Sequence, residues 1–390
     1  MDFKKILFLI SSILFCSPAY AGSGSGTVGL QFLNNDFSAR ALGMGGAFVS
    51  IADGVDAIDY NPAGLGQIKY PELSAMYLSG FDDASLGSLK FGMLLPNVGF
   101  AKYARPAVAV SVISSDAGDM ELRQLDTPTI SKKIKAQQDY SISLSYSEKF
   151  FVGDILLEKL RFEDIEQFYG INAKYIRSTI VDEYTGDGVA GDIGYLLKHN
   201  RSGVSFGAAF GNLGSGVKYI EETTKMPAVA RAGLSWITNT LYGQKIRVAY
   251  QGDFHLNEDY YVSRVGAEYL FDQYVDVRIG YIANPDNPAF TLGITLKYDD
   301  ISMDFAGTVG DNVYNNVMAS VNYRFSGLAY KSSPVKKKKL RGIEDRTVAD
   351  PVGGKKKPAN TQGGDDESSE TTAPARTEKS TGNAGLFLIY

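Results

Sequence analysis

Apolar and polar residues alternate along much of this chain. In residues 141–146 every second residue is apolar, and the residues between them are serines. The same period of two returns in 245–251, 275–281 and 292–298. A period of two predicts a β-strand whose two faces differ in polarity. The chain is therefore expected to be mainly β.

The alternation continues from residue 70 almost to residue 325 and predicts a series of strands. These fourteen predicted strands are 72–80, 86–97, 106–114, 138–148, 167–178, 187–197, 203–212, 226–237, 244–254, 260–271, 274–283, 289–298, 301–308 and 315–325. An even number allows both ends of an antiparallel barrel to lie on one side of a membrane. Closure of the sheet would give every strand edge a hydrogen-bonding partner.

The polar faces of these strands distinguish a soluble sandwich from a membrane barrel. A sandwich exposes its polar face to water, whereas a barrel encloses that face in a crowded lumen. Many residues on the predicted polar faces are small: Ser143, Ser145, Ala209, Gly211, Gly233, Gly266, Gly280 and Gly293. Charges on these faces are of both signs. This chemistry favours the lumen of a barrel.

Aromatic residues at the predicted strand ends support the same interpretation. They are Tyr77, Tyr146, Tyr175, Tyr195, Trp236, Tyr250, Tyr269, Tyr281, Tyr298, Tyr323 and Phe325. Membrane barrels carry aromatic girdles at the two membrane interfaces. The predicted fold class is thus all-β, a transmembrane antiparallel β-barrel of about 14 strands (residues 71–325), with outer-membrane lipid as its surroundings.

The first 21 residues have the pattern of a secretory signal peptide. Lys4 and Lys5 precede an apolar run at 6–15, and residues 19–21 have the small-x-small form of a cleavage site. A stretch of ten residues is too short to span the ~30 Å hydrocarbon layer. The chain is therefore expected to be exported. Its single cysteine, Cys16, lies within this leader.

Two predicted connections are much longer than the others. Residues 115–137 and 149–166 carry polar and charged residues, and 155–167 has the pattern of a helix. Outer-membrane barrels have long extracellular loops and short periplasmic turns. Both long connections are therefore expected outside the cell, and one of them is expected to cover the pore mouth. Residues 198–202, in contrast, are expected to form a short polar turn.

The residue inventory argues against enzymatic chemistry. One cysteine and two histidines are too few for a structural zinc site. His199 and His255 lie beside predicted strand ends and lack the cluster of acidic or nucleophilic partners that catalysis would need, and both are expected at the surface. We predict no catalytic residues, no metal, no cofactor and no nucleic-acid partner.

Residues 22–70 differ from the alternating region because they are rich in glycine. Gly43, Gly45 and Gly46 lie close together, but they lack the Lys-Ser/Thr pair and the remaining glycine of a nucleotide-binding loop. Close packing of the backbone is the better explanation of such glycines.

Two motifs in this region carry a family resemblance. They are 40–48 (Arg-Ala-Leu-Gly-Met-Gly-Gly-Ala-Phe) and 60–65 (Tyr-Asn-Pro-Ala-Gly-Leu), followed later by 192–195 and 212–214. Together they resemble the PorV/PorQ family of FadL-like outer-membrane proteins. The resemblance implies a fourteen-stranded barrel with an N-terminal hatch (22–70) inside its lumen. Hatch residues implied in this way are Gly45, Gly46, Asn61, Pro62 and Ala63.

The resemblance implies two alternative functions. FadL-like barrels take up hydrophobic molecules such as long-chain fatty acids past a hatch that must shift. PorV-like barrels are components of type IX secretion and bind exported cargo or partner proteins. The sequence leaves both alternatives open.

A fatty-acid site needs a cation for the carboxylate as well as an apolar lining. The candidate ligand-binding cations on the predicted lumenal faces are Arg231, Arg247, Arg264 and Arg278. The alternative is that these arginines pair with Glu268, Asp276 or Asp304 and neutralise the interior of the barrel.

The last 65 residues have a different composition. Residues 326–390 contain twelve basic and eight acidic side chains among many Pro, Gly, Ser and Thr, including the lysine runs 336–339 and 355–357. Such a segment cannot bury enough apolar surface to fold. We predict a disordered periplasmic tail. Its basic runs are expected either to contact anionic lipid headgroups, cell-wall polymer or a periplasmic or secretion-machine protein, or to act only as a solubilising linker. Its apolar end at 386–390 would be a docking peptide for such a protein or a terminal strand.

Overall fold

A computed structural model describes the barrel and the segment before it. The described residues are 28–80, 83–95, 106–124, 127–150, 164–219, 221, 223–240, 243–285, 287–310 and 316–328. The predicted signal peptide (1–21) and almost all of the predicted tail lie outside this range. Residues 155–163 of the predicted helix also lie outside it, and residues 165–167 belong to a strand instead.

Fourteen long strands form the barrel, and we number them β1 to β14 along the chain. They are β1 Glu72–Ser79, β2 Ser85–Leu94, β3 Ala107–Asp116, β4 Gln137–Phe150, β5 Ile165–Ile180, β6 Tyr184–His199, β7 Val204–Gly214, β8 Val229–Asn239, β9 Lys245–His255, β10 Tyr260–Leu270, β11 Val275–Ala283, β12 Ala289–Tyr298, β13 Ile301–Val309 and β14 Val317–Arg324. The fourteen strands predicted from the alternation are confirmed, with boundaries shifted by a few residues.

The sheet is closed and antiparallel throughout. Each strand pairs with its neighbours in the sequence, and β1 pairs with β14 from Glu72 opposite Arg324 to Ser79 opposite Val317. The barrel end at which β1 begins and β14 ends is called the terminal end below, and the opposite end is the far end.

Alternate side chains of each strand point to opposite sides of the wall. In β4, Ile142 and Leu144 are 52% and 61% exposed, whereas Ser141, Ser143 and Ser145 are buried. The apolar side chains therefore face outward and the hydroxyl groups face the lumen. This pattern is the reverse of a soluble sheet and is that of a barrel surrounded by lipid.

Large apolar side chains are exposed on every strand of the wall except β10. Examples from successive strands are Tyr77, Leu89, Val112, Leu144, Ile171, Ile193, Phe210, Leu234, Phe254, Val277, Leu292, Phe305 and Val321. Closure of the sheet pairs the backbone groups that lipid could not hydrogen-bond. The molecule is a transmembrane antiparallel β-barrel. Among the described residues, no helix is long and apolar enough to cross a membrane.

The two long connections lie at opposite ends of the barrel. The prediction that both lie on the extracellular side was therefore wrong. β3 ends at the far end, and β4 runs from there back to the terminal end. Connection 115–137 is therefore at the far end and connection 149–166 is at the terminal end. The reason is topological, because a single strand separates the two connections.

The far-end connection is itself a β-hairpin and not an irregular loop. Asp119–Gln124 pairs with Thr127–Lys135 as a separate two-stranded sheet. The ammonium group of Lys135 lies 3.1 Å from a carboxylate oxygen of Asp116 and 2.8 Å from one of Asp119. These ion pairs join the hairpin to the end of β3.

Residues 28–68 lie inside the barrel, and we call them the plug segment. Its regular elements are short: the 3-10 turn Gln31–Asn34, the helices Ala39–Gly43 and Ala57–Tyr60, and the 3-10 turn Pro62–Gln67. Glycines and Pro62 prevent longer helices here. The segment therefore follows a folded path that brings its backbone close to most of the wall.

The plug segment supplies most of the hydrophobic core. One cluster consists mainly of its own side chains, including Met44, Phe48, Ile58 and Leu65. A second cluster joins plug residues such as Phe32 to lumenal side chains of several strands. The lumen is therefore packed at this level.

Glycines on the wall let the plug backbone approach closely. A β-carbon added at Gly280 would lie 2.2 Å from the backbone nitrogen of Gly45, and one at Gly266 would lie 2.3 Å from the carbonyl oxygen of Met44. The same holds at Gly207, where a β-carbon would lie 2.1 Å from the carbonyl oxygen of Val49. Such distances are too short for any side chain, which explains the small residues on the lumenal faces.

This packing predicts the effect of a single methyl group. Gly280→Ala is expected to lower the free energy of unfolding in detergent by about 1–3 kcal/mol, because the methyl group overlaps plug backbone that cannot move freely. Urea titration followed by tryptophan fluorescence measures the change. Gly87→Ala is the matched control, since a β-carbon added there would lie 3.8 Å from its nearest neighbour, the carbonyl oxygen of Met76. Equal stability of the two variants would contradict tight packing of plug against wall.

Candidate functional site

Two features of the structure explain the glycines in the first plug motif. Gly45 and Gly46 have φ angles of +65° and +73°, a region that favours glycine. They form the tight turn after the Ala39–Gly43 helix. The backbone N–H of Gly45 also donates to the hydroxyl of Thr291 on β12, 3.0 Å away. The turn thus lies directly against the wall.

The second motif, Asn61-Pro62-Ala63, fixes the plug to the opposite side of the barrel. The Asn61 amide donates to the carbonyl oxygens of Val49 at 2.9 Å and of Tyr195 on β6 at 3.0 Å. Its side-chain oxygen accepts from the backbone N–H of Ala63. Pro62 occupies the start of the following 3-10 turn, where its lack of an N–H costs no hydrogen bond.

The two later motifs form an irregularity in the wall. Pairing of β6 with β7 shifts register between Gly191 and Ile193, next to Asn212, which has φ +58°. The carboxylate of Asp192 accepts from the backbone N–H of Asn212 at 2.8 Å. The Lys174 ammonium lies 2.8 Å from both side chains. These polar residues therefore stabilise a bulge beside the plug.

Lumenal side chains of the wall also hydrogen-bond the plug backbone. Gln251 accepts from the N–H groups of both Phe48 and Val49, at 2.9 and 2.7 Å. Ser320 accepts from Ala39 at 3.0 Å. Buried backbone groups without partners would be costly. The wall therefore provides partners that the short plug helices lack.

A buried lysine anchors the plug at its centre. The Lys90 side chain on β2 is fully buried, and its ammonium donates to Asp56 at 2.9 Å, to the carbonyl oxygen of Phe37 at 2.6 Å, and lies 2.8 Å from Asp59. Burial raises the pKa of Asp59. Burial also acts on Asp56, but the charge of Lys90 outweighs it and lowers that pKa. Of these two carboxyl groups, Asp56 therefore has the lower pKa.

Glu268 on β10 is the centre of a larger ionic network near the terminal end. This fully buried carboxylate lies 3.1 Å from Arg40 of the plug, 2.7 Å from Arg247 and 2.8 Å from Arg278. Arg40 also pairs with Asp53. Burial opposes ionisation of Asp53, yet the nearby Arg40 and Arg247 lower its pKa to about 2.

The four candidate ligand-binding arginines have different surroundings. Arg278 pairs with Glu268 and lies 3.4 Å from Asp304 and 3.6 Å from Asp276. Arg247 also pairs with Glu268. The structure thus gives these two the carboxylate partners considered as the alternative to a ligand, and Glu268 ties both to the plug through Arg40.

Arg264 and Arg231 lie elsewhere. The Arg264 guanidinium lies 2.7 Å from Asp253 and 3.5 Å from Asp36, and it donates to the carbonyl oxygen of Gly45 at 3.2 Å. It therefore stabilises the glycine turn of the plug. Arg231 has no carboxylate within 4 Å in the part of the chain that the structure describes.

A charged cavity of about 450 Å³ lies at the terminal end. Its lining includes Arg40, Asp53, Arg278, Asp304 and Arg324. Because both positive and negative groups line it, this cavity suits water and polar groups better than a hydrophobic molecule.

The far end of the lumen has the opposite character. Its buried cluster contains Leu30, Phe32, Leu33, Phe37, Leu42, Met76, Leu86, Ile113, Ile176, Val217, Met226, Ala306 and Met318. None of these residues was predicted as a site residue. Residues 28–33 include Leu30, Phe32 and Leu33, but their pattern does not show that these side chains lie in the lumen.

One of the two histidines does not lie where the sequence predicted. His255 is buried, and its ring stacks on Tyr260 with centroids 4.0 Å apart, so its predicted surface position was wrong. Stacking at the end of β9 explains the burial. Within the described ranges, no group of three or more metal-ligating side chains is present.

Substitution of Lys90 tests whether this buried lysine holds the plug in place. Lys90→Met leaves two buried carboxylates without their cation and is expected to cost about 3–5 kcal/mol of unfolding free energy. We also expect larger single-channel conductance in planar bilayers, because the plug loses its central contact. Lys135→Met, which removes the two ion pairs of a partly exposed lysine, is the control and should leave conductance unchanged. Unaltered conductance and stability in Lys90→Met would show that other contacts hold the plug.

Comparison with solved structures shows a shared fold. The chain is similar to the Ralstonia pickettii toluene transporter TbuX, with a TM-score of 0.50 and 14% identity over 74% of this chain and 98% of that chain. The P. putida toluene transporter TodX gives a TM-score of 0.47 and 11% identity over 70% of this chain and 94% of that chain. No protein-family model and no curated protein matches the sequence. At these identities the comparison shows the barrel fold alone.

Proposed function

We propose that this protein is an outer-membrane barrel for the passive uptake of hydrophobic small molecules, gated by the plug segment. The observation that carries the proposal is the apolar cluster at the far end, where plug residues such as Phe32 and Leu42 meet lumenal residues of the wall. A hydrophobic molecule would leave water for this region. The fold shared with a toluene transporter supports the same proposal.

The proposed orientation places the terminal end in the periplasm and the far end outside the cell. An even number of strands brings both ends of the barrel to one side, and export by a signal peptide would leave the tail in the periplasm. A molecule arriving from outside would then meet the apolar cluster before the ionic network.

Among hydrophobic molecules, uncharged ones fit the lumen better than fatty acids. A fatty-acid carboxylate would have to compete with Glu268 for Arg247 and Arg278, and with Asp253 for Arg264. Breaking a buried pair is costly. Arg231 is the cation that remains for a carboxylate in this proposal.

The proposal predicts that movement of the plug limits uptake. The backbone nitrogen of Ala39 lies 3.0 Å from the hydroxyl of Ser320, so Ala39→Cys with Ser320→Cys places two thiols at the junction of plug and wall. Oxidation is expected to reduce toluene uptake by cells at least tenfold, and a reductant should restore it. Cys16 lies in the predicted leader and does not interfere.

A disulfide within the wall provides the matched control. Ser111 and Ser143 are buried lumenal partners on β3 and β4, so a disulfide between cysteines at these positions joins two strands of the wall to each other and not to the plug. Its uptake should be the same in oxidised and reduced cells. Uptake that continues through the oxidised plug–wall bridge would argue against a gating plug.

A second candidate function is binding of a protein within a secretion machine. The charged cavity at the terminal end favours it, because polar groups of both signs suit a peptide better than a hydrocarbon. Proteins that co-purify with the full chain but not with a chain ending at residue 328 would support this alternative and a role of the tail. An empty lumen in the same preparation would weigh against uptake.

A further inference from the structure

A second cavity at the far end combines apolar walls with a buried acid. It has a volume of about 280 Å³, and its lining includes Phe32, Leu78, Leu86, Asp116 and Asp139. This volume is close to the lower limit of typical ligand pockets. No lysine or arginine is among its lining residues, all of which belong to the described part of the chain.

Asp139 is the unusual member of this lining. It is 4% exposed, and the amide of Gln137 donates to its two carboxylate oxygens at 3.0 and 2.9 Å. In the described ranges no cation pairs with it, whereas Asp116 in the same lining pairs with Lys135. A buried carboxylate without a cationic partner is unfavourable.

The adjoining cavity does not supply the missing cation. This smaller space, about 170 Å³, shares Asn35 and Leu78 with the first. Arg264 is the one cation in its described lining, and it is engaged by Asp253 and Asp36. The far end therefore offers hydrogen-bond acceptors and one uncompensated acid beside apolar walls.

We propose that the Asp139 cavity binds the ammonium group of small apolar amines. The ammonium would donate to Asp139 and supply the cation that the cavity lacks, while the hydrocarbon chain would lie against Phe32, Leu78 and Leu86. The inference rests on the proposed uptake of hydrophobic molecules and names their chemical class. It predicts discrimination against carboxylates, since no lining cation is available to them.

Three ligands with the same six-carbon chain test the assignment. Isothermal titration calorimetry of the full chain in detergent at neutral pH compares hexylammonium, hexanol and hexanoate. Hexylammonium is expected to bind about tenfold more tightly than hexanol, since a charge-assisted hydrogen bond is stronger than a neutral one. Hexanoate should bind most weakly. Equal affinities, or a preference for hexanoate, would overturn the proposal without any mutation.

Substitution then assigns the preference to one side chain. Asp139→Asn keeps the size of the residue and should lower hexylammonium affinity about tenfold, while hexanol affinity stays within about twofold. Asp187→Asn, which removes an exposed acid paired with Arg177, is the control and should bind all three ligands like the parent. An Asp139→Asn variant that keeps the ammonium preference would refute the role of Asp139.

The uptake assay separates failure of this inference from failure of the proposed function. Suppose that the reduced plug–wall variant takes up toluene but the protein shows no preference for hexylammonium in calorimetry. This result would refute the amine site alone. Tight hexylammonium binding without uptake of toluene or the amine would refute passive uptake and leave the binding site standing.

Discussion

The structure depends on one requirement, that a short-helix segment enclosed in the lumen must find packing and hydrogen bonds on the wall around it. Glycines such as Gly207 and Gly280 supply the space, and polar residues such as Gln251 and Thr291 supply the bonds. Neither contribution is sufficient alone, because close approach without bonds would bury unsatisfied backbone groups. The small and polar lumenal faces of the strands follow from this requirement.

The lumen is divided along its axis into two chemical environments. An ionic network centred on Glu268 lies near the terminal end, and apolar residues of plug and wall fill the far end. The plug segment contributes to both, through Arg40 at one level and Phe32 at the other. Any molecule that crosses the barrel must therefore move a segment that is held by charge on one side and by apolar packing on the other.

The sequence was sufficient for the fold but not for the partners of the lumenal charges. Period-two alternation identifies strands because each wall residue faces either lipid or lumen, and it also shows which strand faces are small. It does not show that Arg264 would meet Asp36 of the plug, since these residues are far apart in the chain. Burial of His255 and the contacts of Lys90 depend in the same way on long-range packing.

The close contacts between glycines and plug backbone also limit how these wall positions can vary in sequence. A β-carbon at Gly170 would lie 2.4 Å from the carbonyl carbon of Pro62, and one at Gly194 would lie 2.1 Å from the side-chain oxygen of Asn61. Even alanine at either position would displace the Asn61-Pro62 turn. Substitutions at these two wall glycines are therefore tolerated only when the turn changes with them.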